Sequence, residues 1–262
     1  MKKLIFALCL LATPALGDEF ASPWSKSLKS EARLIGGGEA PGVGLLAGVE
    51  IHLAPNTLTY WRNPGDAGVP PVFNFEGSEN LKSAKVLYPA PSLLSEGGVM
   101  AYGYEDKVIF PVLVTPQDAA RPLKLRYKLD YATCEKICVP AKADGELSLQ
   151  NQGGSAQTDI LAALARVPKP VPLGAVDPLS ILSVSPSATL LTFDVTVSAN
   201  EAAELFAEGP DAVYFAVKKS DGQHFTVTAQ DVPADMKTAQ LKLTLVTKSA
   251  AIETLVDVKL TP

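Results

Sequence analysis

The most regular hydrophobic pattern in the chain runs over residues 123–131. Leu123, Leu125, Tyr127, Leu129 and Tyr131 alternate with Lys124, Arg126, Lys128 and Asp130. Successive side chains on a strand point to opposite faces, so this stretch predicts a strand with one buried and one solvated face. Val49-Glu50-Ile51-His52-Leu53 repeats the pattern over a shorter span, with His52 on the polar side. Residues 108–114, Val-Ile-Phe-Pro-Val-Leu-Val, predict a buried strand. Pro111 cannot donate to a ladder and argues for an edge or a bulge there. In the second half, Leu191, Phe193, Val195 and Val197 alternate with Thr192, Asp194 and Thr196. Strand-like runs follow at 213–217, 225–229, 241–246 and 252–260, a spacing that predicts a β-sandwich. Helical signals are brief: 158–166, with Thr158 or Asp159 as its cap, and 200–206.

The strand–helix–strand rhythm of a parallel sheet is missing, so the expected class is all-β. Residues 151–156 are loop-like, and Pro168, Pro170 and Pro172 make a stiff connector. The expected organisation is a first β-sandwich over 18–156, a helix and proline-rich linker over 157–172, and a second β-sandwich over 173–262. The glycine-rich stretch 34–44 lacks the Lys-Ser/Thr of a phosphate loop and the context of a dinucleotide site. It is read as a flexible or turn-rich lead-in to the first domain.

The first 17 residues set the destination. Lys2 and Lys3 precede a short apolar run that ends on Ala15-Leu16-Gly17, the layout of a secretory signal peptide cut before Asp18. Cys9 would leave with it. Removing Lys2 and Lys3 takes the formal charge from -5 to -7, with 23 minus 2 cationic side chains against 28 anionic ones. An acidic exported chain is a poor candidate for nucleic acid. No later segment approaches the roughly 18 consecutive apolar residues of a membrane span, so no stable insertion is expected after signal cleavage. The expected location is the periplasm, which is oxidising and favours pairing of Cys134 with Cys138.

Residues 130–141 read DYATCEKICVPA. On a strand, Cα atoms four positions apart lie about 13 Å from each other, whereas a disulfide needs roughly 4.4 to 6.8 Å. A bonded pair must therefore sit on a tight turn. One strand ends near Tyr131 and residues 145–149 can start the next, so the pair falls at a tip. Three chemistries fit. A staple closing so short a loop contributes roughly 2 kcal/mol in the entropic account, and a chain of this size can bury enough core without one. Two thiolates can hold a soft metal such as copper(I). The two histidines, His52 and His224, read as surface residues, and zinc lacks a second closely spaced ligand pair. A redox pair exchanges with an incoming thiolate through a mixed disulfide that the second cysteine resolves. Asp130, Glu135 and Lys136 act on thiol acidity in opposite directions. Glu105 and Asp106 are adjacent, so they point apart on a strand, and two lone histidines support no Ser-His-Asp arrangement.

These flanks resemble the cysteine segment of the N-terminal periplasmic domain of DsbD-type thiol:disulfide interchange proteins, especially the ScsB-like branch. TLTYWRNPGDAGVPP, residues 57–71, is similar to that family's aromatic-plus-turn stretch. AYGYEDKVIFPVLV, residues 101–114, is similar to the strand and loop that face its cysteines. The resemblance covers about residues 45–145, and more loosely the second half. It implies an immunoglobulin-like β-sandwich redox domain with an active pair at Cys134 and Cys138. It also implies a covering shell, for which Tyr60, Trp61, Tyr102, Tyr104 and Glu105 are candidates; ordinary sandwich core is the competing reading of the aromatics. Arg62, Asn63, Pro64, Gly65 and Asp66 read as a structured turn. Electrons would come from a membrane-embedded thiol transporter and pass to thioredoxin-like periplasmic proteins, with no cofactor and no metal. The best-known members space their cysteines more widely and continue into a membrane domain and a thioredoxin-like domain. Neither follows here, so a separate membrane protein is the expected donor. Two other readings stay open: a binding module with a structural disulfide, and a copper-handling protein.

Overall fold

The computed structural model describes residues 19–65, 68–211 and 213–260. The signal-peptide reading, and Asp66 of the expected turn, lie outside the described residues.

The first half contains β1 (Ser25–Lys26), β2 (Ser30–Ala40), β3 (Gly44–Leu53), β4 (Leu58–Gly65), β5 (Val72–Asn74), β6 (Leu81–Val86), β7 (Ser92–Glu96), β8 (Val99–Glu105), β9 (Lys107–Pro116), β10 (Leu123–Cys134) and β11 (Cys138–Leu149). Helix α1 (Gln157–Ala165) follows. The second half contains β12 (Lys169–Pro170), β13 (Ser180–Pro186), β14 (Thr192–Ser198), β15 (Ala203–Glu208), β16 (Tyr214–Lys219), β17 (His224–Gln230), β18 (Thr238–Thr247) and β19 (Ala251–Lys259). The chain is nearly all β, an immunoglobulin-like sandwich followed by a second β-sandwich.

In the first sandwich a five-stranded sheet, ordered β1-β2-β3-β9-β6, packs on a six-stranded one, ordered β11-β10-β4-β8-β7 with β5 on β10. Leu34, Val49, Ile51, Phe110 and Val112 from one sheet meet Trp61, Leu125, Tyr127, Leu129 and Tyr131 from the other. The alternation read over 123–131 is the cause: its apolar members all point inward and are buried. In the second sandwich, β12-β19-β18-β15 covers β13-β14-β17-β16. Its core holds Phe193, Val195, Phe225, Val227, Leu243 and Leu245. Phe206, Val246 and Ala251 of this second unit belong to the apolar cluster of the first, so the two cores are continuous. No helix among the described residues is long and apolar enough to cross a membrane.

Four local expectations are corrected. Pro111 is not on an edge, because β9 lies between β3 and β6. The last β6 pair is Val86↔Val112, and Leu87 N–H donates to the Pro111 carbonyl at 2.8 Å. A strand residue's N–H and C=O point to the same neighbour, so the donor that Pro111 lacks would face β6 where that ladder stops.

The glycine stretch is no flexible lead-in; most of it is β2, with a register shift between Gly36 and Gly38. A Cβ on Gly37 would come 2.9 Å from Leu46 Cβ and 3.2 Å from Ile160 Cδ1, so glycine there lets α1 seat Ile160 on the sheet. Helix α1 begins at Ala156 with no side-chain cap. Asp159 sits in its first turn and accepts from Lys107 Nζ at 3.0 Å, where a carboxylate favours the helix dipole.

Residues 203–208 are strand β15, not part of a helix. Ala203, Leu205 and Ala207 enter the second core, while Phe206 enters the first. Burial on both faces overrides the helical composition.

Candidate functional site

Strands β10 and β11 pair without a break from Leu123↔Leu149 to Cys134↔Cys138. The hairpin tip is Glu135-Lys136-Ile137, and the two cysteines face each other across its first rung. They form a disulfide, with Cα atoms 4.0 Å apart. The pair is asymmetric: Cys134 is 3% exposed, whereas Cys138 is an exposed residue. Ile137, beside Cys138, is 78% exposed. On the flank, Lys29 Nζ donates to Glu135 Oε2 at 2.9 Å, and this bond holds the Glu135 carboxyl below its usual range.

The in-out pattern of β10 stops near this tip. Ala132, Thr133 and Cys134 are all buried. Thr133 pairs with Thr59 of β4, whose hydroxyl donates to the Ala132 carbonyl at 2.9 Å. The opposite face is covered by a small cluster of Leu58, Tyr60, Ala101, Ala132 and Cys134, with Leu94 against it.

A carboxylate completes the site. Glu96 ends β7, and Gly97-Gly98 turn the chain back into β8 with positive φ at both positions. Glu96 Oε1 lies 2.8 Å from Cys134 Sγ and 2.7 Å from Cys138 Sγ. Tyr60 donates its phenol proton to Glu96 Oε2 at 2.9 Å, and the Tyr60 phenol oxygen lies 3.4 Å from Cys138 Sγ. Burial, then the Glu96 carboxylate, pushes the Tyr60 phenol well above its ordinary value, so it remains a donor. Gly68 packs on the Tyr60 ring; a Cβ there would come 2.2 Å from Tyr60 Cε1.

Of the shell residues named from sequence, Tyr60 meets the sulfurs. Trp61 points into the sandwich core, its ring centroid 5.8 Å from that of Phe206. Tyr102 stacks edge-on against the same Phe206 at 4.8 Å. Tyr104 is buried against Phe110, donates to the Pro89 carbonyl at 2.8 Å, and has its phenol raised well above the usual value by burial. Glu105 is exposed at the end of β8, in the sheet row Cys134–Leu58–Glu105. Glu96 was missed. Its signal in the sequence is Glu-Gly-Gly, since a Gly-Gly pair marks a tight turn, and a hairpin just before residues 101–114 would carry its turn to the cysteines.

Among the described residues, Glu96, Cys134 and Cys138 are a group that could hold a metal, their donor atoms within 4.8 Å of one another. The histidines are engaged elsewhere. His52 lies 3.0 Å from Glu50 Oε1 and packs on Trp24, and His224 is held by Asp221 at 2.8 Å.

An exposed cysteine bonded to a buried one, beside a carboxylate and a phenol, is suited to thiol attack from one side. Residues 33–149 match the family model described as thiol:disulfide interchange protein DsbD, N-terminal. That span reaches from β2 to the last residue of β11 and so contains the cysteines and Glu96. The first sandwich is thus similar to the N-terminal domain of that family, which bears out the resemblance read from the cysteine flanks. Among solved structures, the N-terminal periplasmic domain of ScsB from Proteus mirabilis matches with a TM-score of 0.72. The match covers 92% of this chain and 98% of that one at 19% identity, and so carries the two-sandwich fold. No curated protein matches the chain.

Proposed function

We propose that the protein is a periplasmic thiol–disulfide exchange protein working through the Cys134–Cys138 pair. Its donor is a membrane-embedded thiol transporter and its acceptors are thioredoxin-like proteins. The observation that carries this reading is the asymmetry of the pair, Cys138 exposed and Cys134 buried, with the Glu96 carboxylate against both sulfurs.

The steps follow from that asymmetry. A donor thiolate attacks Cys138 Sγ, the accessible atom. The Cys134–Cys138 bond breaks, its electron pair leaves on Cys134, and a mixed disulfide joins Cys138 to the donor. The donor's second thiol attacks its own sulfur in that bond and releases Cys138 as a thiolate. The donor is oxidised to a disulfide and this protein is reduced to a dithiol. Delivery to a thioredoxin-like disulfide runs the same steps in reverse. Glu96 Oε1 is within reach of both sulfurs and is placed to accept S–H from either thiol of the reduced pair.

The competing staple reading is weakened by position. The bond joins two residues already paired in a ladder, so it adds little to what the hairpin holds. The deciding experiment is equilibration with glutathione and with thioredoxin-like proteins. A potential above about -300 mV with measurable exchange supports the proposal, whereas a much lower one without exchange marks a structural bond.

The copper-handling reading rests on the Glu96–Cys134–Cys138 group. A carboxylate is a harder ligand than copper(I) prefers, which favours exchange. Stoichiometric copper(I) retained by the reduced protein would reverse that preference.

A further inference from the structure

We propose that the second sandwich is a brace that holds the Tyr60–Glu96 cover over the disulfide, with Arg62 as the positioning residue. The proposal rests on the exchange reading above and gives the second sandwich a role in that site.

The pairing of β4 with β8 shows where the brace acts. The two strands pair from Leu58↔Glu105 to Tyr60↔Gly103, and pairing resumes at Gly65↔Ala101. Residues 61–64 therefore bulge out opposite Tyr102, directly after the residue that covers the sulfurs. Bulges re-aim side chains beside functional sites. Gly103 makes the close approach possible, since a Cβ there would lie 2.1 Å from the Thr59 carbonyl oxygen.

Three consecutive residues of the bulge are gripped by the second sandwich. Trp61 packs on Phe206. Arg62 donates from Nε to Glu208 Oε1 at 2.9 Å, and from Nη2 to Glu208 Oε2 at 2.6 Å and Glu253 Oε2 at 2.5 Å. Asn63 Nδ2 donates to the Ala207 carbonyl at 3.0 Å. The strand that follows the Glu96 turn is held at the same place, because Tyr102 also packs on Phe206.

The gripping surface is one face of one sheet. Phe206 pairs with Thr244, and Thr244 with Glu253, so Phe206 and Glu253 share a row and a face, with Glu208 two positions along β15. Arg62, Glu208 and Glu253 are 23%, 17% and 23% exposed, so the charges are partly desolvated. Bidentate guanidinium–carboxylate pairs fix orientation as well as distance. Removing one partner from such a group leaves an uncompensated charge. Burial alone would weaken the protonation of Arg62, but the two carboxylates more than offset it, so the guanidinium stays charged. A shift of the bulge moves the Tyr60 backbone, and with it the phenol that pins Glu96.

The test is the rate at which dithiothreitol reduces the disulfide of the full chain. Arg62→Ala is expected to be reduced roughly fivefold faster, about 1 kcal/mol at 1.4 kcal/mol per tenfold. The Glu208→Gln/Glu253→Gln pair, which leaves the β4 sequence intact, is expected to match it. Tyr60→Phe alone is expected to be as fast, and Arg62→Ala in that background to add nothing. Wild-type reduction rates in both brace variants would overturn the proposal. So would an Arg62→Ala effect that persists in full on the Tyr60→Phe background, because that is general loosening. Dithiothreitol needs no protein partner, so a chain that fails to exchange with thioredoxin-like proteins still reports on the brace.

Discussion

At the base of the β10–β11 hairpin, residues 123–131 keep one face in the core and the other in water. Lys124 and Arg126 pair with Glu146 at 2.8 and 2.9 Å, and Lys142 with Asp130 at 2.8 Å, along that wet face. At the tip, Ala132, Thr133 and Cys134 are buried on both faces of the same ladder. Leu58, Tyr60 and Ala101 cover what would otherwise be the solvated side. The base is a sheet that stabilises; the tip is a sheet whose second face has been closed over the Cys134 half of a reactive bond and left open at Cys138. Covering that face requires donors and acceptors beneath it, and Tyr60 and Glu96 supply them.

The comparison can be broken most severely at the tip. Cys134→Ser or Cys138→Ser is expected to abolish exchange with a thioredoxin-like protein. The fold should survive, since the short loop is worth roughly 2 kcal/mol by the entropic account; exchange assays and thermal melts check the two halves. The reverse outcome is expected at the base. Leu125→Ala or Leu129→Ala should lower stability by roughly 2–5 kcal/mol in denaturant titration and leave the dithiothreitol reduction rate of the folded protein unchanged.

Glu96→Ala removes the oxygen over both sulfurs and the acceptor of Tyr60. It is expected to speed reduction severalfold, up to about tenfold, with little change in melting temperature. The smallest effect belongs to the wet face. Arg126→Ala should cost no more than about 1 kcal/mol and leave reduction untouched, measured by the same two assays.

The base was readable in the sequence because period-two alternation is a local signal, and Leu123 to Tyr131 obey it without exception. The tip position of the cysteines was readable from chain geometry and the strand before them. Glu96 was not, because it reaches the sulfurs from another hairpin through the turn at Gly97-Gly98. Trp61 and Tyr102 were legible as important aromatics but not as parts of an interface, since Phe206 is a long way off in sequence. The same distance hid β15: with its second face buried against the first sandwich, Ala-Glu-Leu-Phe-Ala-Glu reads as a helix until its partner is known.

The central claim is that Cys138 is the attacked sulfur of a working pair, and partner trapping tests it most directly. Cys134→Ala leaves the exposed Cys138 without its resolving thiol, and Cys138→Ala leaves the buried Cys134. Each variant would be mixed with a thioredoxin-like protein that keeps only its exposed cysteine, activated as an aryl mixed disulfide whose aryl thiolate is the leaving group, and run on a non-reducing gel. The account predicts a persistent mixed disulfide with Cys134→Ala and little or none with Cys138→Ala. No adduct with either variant, or an adduct with Cys138→Ala alone, would contradict it.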